Sequence, residues 1–389
     1  MFLLCIKADS LTFPHSIAPT FLHPVLRRTI RELLGSIRRD ETLIRKVICF
    51  PSRPYNEPPA PSDPEPVFWT WGTKTYLMAT LNTTPDSFSD GGDHFSFTAG
   101  TSYARSAMEA GADIVDIGGY STRPGSGFIS PEEEIKRTIP FIQAIRKHQE
   151  SLPQIPISVD TFRADVAEAA ISAGANCIND VYALTGPHVG VANISVGETV
   201  KDQDEIEVSD GGAMLRTATK LGVPVILMHS RGPADKNKDY SMYSGGVMEG
   251  VKKELGLRVQ RALRAGVRRW NIILDPGIGF SKNVQDNLEL MRRGIELNAV
   301  APEERKRSDH ELPATAKAGL EGYPVLVGTS RKAYLGGLTG KTTAKDREWA
   351  TAAAVSAAIQ QSADIIRVHK VDAHKDVLII SDAIYRTPR

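Results

Sequence analysis

Cysteine is scarce in this 389-residue chain, and its three copies, Cys5, Cys49 and Cys177, include no C-x-x-C pair. Neither a disulfide framework nor a zinc knuckle can be assembled from them, so a reducing, intracellular compartment is expected. Net charge is almost absent too. Lys and Arg number 47 against 46 Asp and Glu, a formal +1, which leaves no field to draw a polyanion; neither nucleic acid nor a membrane is expected as a partner. No uncharged apolar run approaches the roughly 20 residues that a bilayer requires. The apolar start, Met1 to Ile6, is broken by Lys7 and Asp9 before a secretory core of about 7 residues is complete. Arginines at 27, 28, 31, 38, 39 and 45 would suit an organellar transit segment, but Glu32, Asp40 and Glu41 are the acids such segments avoid. The cytoplasm is the expected location, with the mitochondrion second.

What is present is an ordinary globular composition, 41% hydrophobic and 24% charged, enough to build a sizeable core. Proline occupies seven of the sixteen positions from 51 to 66, which removes backbone donors and predicts an extended linker. Residues 1–50 before it offer one plausible helix, Val25 to Ile37, too little for a core of their own, and read as an N-terminal extension. From 67 to 389 a rhythm sets in: a short apolar run, a loop, then an alanine-rich amphipathic stretch ending at glycine. The runs are 75–82, 112–119, 156–161, 176–181, 224–230, 271–277, 324–330 and 364–370, with Gly111, Gly174, Gly222 and Gly266 closing helices between them. Eight such βα units, with near-continuous Val, Ile and Leu, predict a parallel (β/α)8, or TIM, barrel; an open doubly wound sheet is the alternative.

Every run carries polar groups at its C-terminal end: Asn82, Asp116, Asp160, Asn179, His229, Asp275, Ser330, and Arg367 with His369. In a barrel those ends ring one mouth, where barrel enzymes place their chemistry. Arg367 and His369 are two apart and share a strand face, so they could clamp a diphosphate, unless the arginine pairs with a carboxylate. Asn82 opens a turn-rich loop and offers a hard oxygen for Mg2+, or is simply a turn former. Asp160, Asn179, Asp275 and Lys332 supply acceptors, an amide and a cation fit to read the edge of a flat heterocycle; rim ion pairs are the bland reading. Two decoys fall away. GGLTGKTT has Leu335 where a phosphate loop needs its first glycine, and no H-E-x-x-H or strand-borne G-x-S-x-G occurs.

These residues stand in segments that resemble the dihydropteroate synthases of folate biosynthesis, particularly the fungal form carried on a multifunctional protein. The resemblance spans Thr75 to Ile384 and rests on LNTTPDSFSDGG, ADIVDIGGYSTRPGS, ISVDTFRADVAEAAISAGANCINDV, VILMHSRG, ILDPGIGFSK, VLVGTSRK and ADIIRVHKV, in the family's order. It implies a homodimeric barrel enzyme that joins (7,8-dihydropterin-6-yl)methyl diphosphate to 4-aminobenzoate. Carried across by motif, the pterin pocket falls on Asp160, Asn179, Asp275 and Lys332. Diphosphate contacts fall on Thr122, Arg367, His369 and, through Mg2+, Asn82. Arg123 and Pro124 would shape the aminobenzoate site, with its carboxylate near Ser330 at the start of the next helix; Lys332, Arg367, His369 and Asp160 would carry the catalysis. Loops Thr83 to Gly92 and Ser121 to Gly127 would close over the substrates.

Two departures stand out. Tyr120 occupies a position where many bacterial members have glutamate, and Ala333 one where a serine often follows the lysine. Segments 187–210 and 298–322 exceed what the core pattern needs, and 12–37 resembles the end of a pyrophosphokinase domain. A non-catalytic pterin-binding paralogue and a pterin-dependent methyltransferase remain the alternative readings.

Overall fold

The computed structural model describes residues 47–51, 65–83, 97–121, 127–147, 155–187, 208–299 and 319–386, the side chains of 97–101 excepted. Eight strands make one parallel sheet: β3 (Tyr76–Asn82), β4 (Ile114–Gly118), β5 (Ile157–Asp160), β6 (Cys177–Asp180), β7 (Val225–Met228), β8 (Ile272–Asp275), β9 (Leu326–Val327) and β10 (Ile365–Val368). Their order is β8-β7-β6-β5-β4-β3-β10-β9, and a parallel bridge between Leu274 and Val325 joins the two outer strands. The sheet thus curls back on itself as the predicted barrel. Each strand lies inside one of the eight apolar runs.

Helices cover the outside, and their termini follow from local chemistry. Gly111, Gly174, Gly222 and Gly266 all have positive φ, as their place after helical stretches requires. The helix Pro131–Lys147 begins with proline and three glutamates and ends with Arg146 and Lys147, matching charge to the backbone dipole at both ends.

Period-two alternation splits the strands into two apolar layers. Leu77, Ala79, Val115, Ile117, Val159, Val225, Leu274 and Ile366 pack outward beneath the helices. Tyr76, Met78, Ile114, Cys177, Ile226, Ile273, Leu326 and Ile365 form a separate inner cluster near the strand beginnings. A strand pair that the sequence did not announce joins this inner cluster. β1 (Val47–Phe50) pairs with β2 (Val67–Thr70), and Ile48, Phe50, Trp69 and Trp71 pack with the inner residues. Trp69 stacks on Tyr76 with ring centroids 4.1 Å apart. The end of the barrel opposite the mouth is therefore plugged by aromatic side chains. Residues 48–50 fall in one compact unit with the barrel, so this unit begins ahead of the proline-rich stretch.

Candidate active site

Above the apolar floor the inward-facing positions turn polar. Asp116 on β4, Asp160 on β5, Asn179 on β6, Asp275 on β8 and Arg367 on β10 come within reach of one another at the strand ends. Arg367 Nε donates to Asp116 Oδ2 at 2.6 Å, and its Nη2 donates to Asp160 Oδ2 at 2.7 Å. Asn179 Nδ2 donates to the same Asp116 oxygen at 3.1 Å. Asp116 is fully buried, and among the described residues its Oδ1 has no hydrogen-bond partner; the same holds for the buried Oγ1 of Thr80, its register neighbour on β3. At the base of the cup the Asp116 oxygen can accept, and the Thr80 hydroxyl can accept or donate. Gly118 makes the closeness of β4 and β5 tolerable: a Cβ there would sit 3.3 Å from Asp160 Cβ.

Asp275 accepts the backbone N–H of Gly277 at 2.7 Å, which starts the turn leading to Lys282. The turn approaches β7 so closely that a Cβ on Gly277, whose φ is +68°, would lie 1.9 Å from the His229 carbonyl oxygen. Lys332 reaches over this turn from the other side, its Nζ 4.1 Å from the centroid of the Phe280 ring. His369 Nδ1 and Ser330 Oγ are 3.0 Å apart, linking the ends of β9 and β10.

Electrostatics bind the set together. Burial pushes the Asp160 carboxyl up to about 7, with Asp116 and Glu134 adding to the rise and Arg367 and Lys332 opposing it. Burial also raises Asp275, against the Gly277 N–H and the cations Lys332, Lys282 and Arg367. Asp275 thus feels both Lys332 and Arg367, so residues 57 to 251 positions apart in the chain converge on one cup. A carboxyl poised near neutrality, Asp160, beside a second, Asp275, raised by burial is the signature expected of a functional cup rather than of scattered strand caps.

Sequence expectations fare unevenly here. Asp160, Asn179, Asp275, Ser330, Lys332, Arg367 and His369 come together, and Asn82 stands half-buried at the end of β3. Arg367 is not a freestanding clamp, because two of its donors are committed to carboxylates, the arrangement the sequence left open. His229 does not face the mouth; it is fully buried and turned toward Glu254 on the helix Gly246–Arg264. The helix after Ser330 spans only Ala333–Thr339, so an anion there would meet its first N–H groups more than any sizeable dipole. Thr122, Arg123 and Pro124, most of both substrate loops, the bulk of the two insertions, the extension up to residue 46 and most of the linker lie outside the described residues. Asp116, named at the outset only as a strand-end residue, proves to be the hub for Arg367 and Asn179. Glu254, Arg231 and Lys282 were missed; the bonds that join Glu254 to His229 and Arg231, and Lys282 to His229, span 23 to 53 residues, beyond any local pattern.

Comparison with known proteins agrees with this geometry. The family model described as pterin binding enzyme matches residues 78–369, from β3 to the end of the last strand. The folic acid synthesis protein fol1 of Pneumocystis carinii is 40% identical over 323 residues, which are 82% of this chain and 37% of that protein. This chain therefore spans only about a third of that relative, and the activities of the remainder are not carried over. A Synechocystis dihydropteroate synthase is 36% identical over 332 residues, covering 85% of this chain and 97% of its own length. The structure of a Xanthomonas albilineans dihydropteroate synthase with 4-aminobenzoic acid superposes with a TM-score of 0.64 at 34% identity, covering 82% of this chain and 96% of that one. The same enzyme has been seen with 7,8-dihydropteroate, at a TM-score of 0.61 and 33% identity over 82% and 97% of the two chains. The matched stretch contains every residue of the cup, and the chain belongs to the pterin-binding enzymes and, among them, to the dihydropteroate synthases.

Proposed function

We propose that this chain condenses (7,8-dihydropterin-6-yl)methyl diphosphate with 4-aminobenzoate, releasing diphosphate and 7,8-dihydropteroate. The observation that carries the reading is the convergence of Asp116, Asp160, Asn179, Asp275, Lys332 and Arg367 in one buried cup, within the stretch shared with the dihydropteroate synthases. A pterin presents guanidine-like N–H groups on one edge and an oxo group on another. Asp160, Asn179 and Asp275 suit the first, and the Lys332 ammonium suits the second.

The substrate's tail would lie toward the lip, where His369 and Ser330 stand and where Thr122 belongs by motif. Arg367, between the pterin carboxylates and this lip, is placed to feel negative charge growing on the leaving oxygen. In the reaction the C–O bond to diphosphate breaks with its electron pair on the leaving group. The arylamine nitrogen forms the new C–N bond and gives up its proton to solvent. C–O cleavage ahead of attack leaves positive charge on the pterin methylene, which Asp160 and Asp275 offset. Arg123 and Pro124 would flank the aminobenzoate, with its carboxylate near Ser330.

Mg2+ fits the donor set. Asn82 offers one hard, half-buried carboxamide oxygen, and among the described residues no group of three His, Cys, Asp or Glu could hold a metal ion. That is the environment of an ion carried mostly by substrate phosphate and water. When bound, Mg2+ would neutralise charge on the departing diphosphate.

The test is to incubate the purified chain with the pterin diphosphate, Mg2+ and labelled 4-aminobenzoate. Mg2+-dependent formation of dihydropteroate supports the proposal. Pterin binding without product would instead make the chain a non-catalytic paralogue, and methyl transfer from methyltetrahydrofolate to a corrinoid would make it a methyltransferase.

A further inference from the structure

Behind the cup, in the wall between β7, β8 and the helix Gly246–Arg264, lies a buried polar chain that the condensation does not use directly. Lys282 is 3% exposed; its Nζ contacts His229 Nδ1 at 3.0 Å and donates to the Phe280 carbonyl at 2.9 Å. An ammonium can only donate, so the imidazole accepts at Nδ1 and carries its proton on Nε2, from which it donates to Glu254 Oε2 at 3.0 Å. Burial and the Lys282 charge hold that imidazole down at about 3, neutral at physiological pH. Glu254 also accepts from Arg231 and from Tyr243, and despite its burial these bonds and the His229 bond keep it ionised.

What this chain of groups holds is the turn from Asp275 to Lys282. His229 N–H donates to the Asp275 carbonyl at 2.8 Å, securing one end. At the other end Ser281, with φ +50°, accepts from the Arg231 N–H through Oγ and from the Tyr240 hydroxyl through its carbonyl. The two groups this turn shows to the cup are the Asp275 carboxylate and the Phe280 ring beneath Lys332.

We propose that Lys282 is a positioning residue: its ammonium, seated between the His229 ring and the Phe280 carbonyl, fixes the 275–282 turn and so holds the Asp275 carboxyl and the Phe280 ring where they meet the pterin. The inference rests on the pterin reading of the cup. The charged and titratable groups facing Lys282 are His229 and Arg231 after β7, Glu254 and Arg258 on the helix, and Asp275 at the end of β8. Burial outweighs the two carboxylates and brings the lysine down to about 7. Its charge is present below that pH and lost above it, so pterin affinity falls on the alkaline side. Asp160 acts with the opposite sign, ionising as pH rises, and accounts for an acid limb.

The experiment measures binding of 6-hydroxymethyl-7,8-dihydropterin, which has no titrating phosphate, from about pH 6 to pH 9 for the full chain and for Lys282→Met. For the native chain, affinity is expected to fall up to about tenfold per pH unit above the lysine's titration. Lys282→Met should bind about tenfold more weakly near pH 7 and lack the alkaline limb, with KM for the pterin diphosphate raised more than kcat is lowered. A native profile flat above pH 7.5, an unchanged alkaline limb in Lys282→Met, or equal affinity of the two near pH 7 overturns the proposal. If the variant does not fold, the native profile decides alone. A native chain that binds no pterin, or makes no dihydropteroate from labelled 4-aminobenzoate, overturns the reading of the cup instead.

Discussion

Replacing Arg367 with methionine removes the counter-charge from two carboxylates at once. Asp116 has no exposed side-chain surface and Asp160 keeps about a fifth of its own, at 21%. Breaking a buried pair by deleting one partner costs about 3 to 5 kcal/mol, because the survivor is left charged and desolvated. Asp160 can relieve part of this by taking up a proton, since it already titrates near 7, so the lower figure of about 3 kcal/mol applies. At about 2 °C per kcal/mol for a chain of this size, the melting temperature should drop by about 6 °C. Adding Asp116→Asn removes the more deeply buried orphan charge and should recover at least half of that loss. Turnover should behave differently. Both the single and the double variant lack the guanidinium beside the leaving group, and both should lose about a hundredfold or more in kcat. Unfolding followed by urea or heat, alongside dihydropteroate formation from labelled 4-aminobenzoate, separates the two effects. A single variant as stable as the native chain, or a double variant with native turnover, would refute the reasoning.

Three further outcomes follow from the same geometry. Because Asp160 is held up at about 7 and must be ionised to accept pterin N–H groups, kcat/KM for the pterin diphosphate should decline as pH falls below that value; Asp160→Asn should give a low profile without this limb. Asp275→Asn should weaken pterin binding about ten- to a hundredfold while leaving KM for 4-aminobenzoate near native, measurable by steady-state kinetics with each substrate varied in turn. Ile273→Ala, in the fully buried inner layer, should cost about 2 to 5 kcal/mol of stability without changing either KM, as chemical unfolding and kinetics would show.

The barrel was legible because its signals are local and repeated: eight apolar runs, and Gly111, Gly174, Gly222 and Gly266 at helix ends where positive φ is required. The cup was legible at one remove, since a polar residue at the end of a buried strand has few places to go except the mouth. The rule failed at His229, whose ring turned outward to Glu254 through a hydrogen bond that no spacing announces. Glu254, Lys253 and Arg258 are charged residues on the helix Gly246–Arg264, yet all three are buried. Burying those charges requires partners from two strand ends and a turn, and such long-range pairing leaves no periodic trace. The β1–β2 pair was hidden for a different reason. Four residues on either side of a proline-rich stretch are too short to show an alternation, and only the packing of Phe50 on Trp69, and of Trp69 and Trp71 on Tyr76, reveals them.

That plug has a practical consequence. Two of the four tryptophans, Trp69 and Trp71, are buried among aromatic rings at the sealed end, with the length of the strands between them and the chemistry. Their ultraviolet emission should respond to loss of the sealed end and ignore what occupies the mouth. The folded fraction of any cup variant can then be followed optically, with no bound molecule needed to report it.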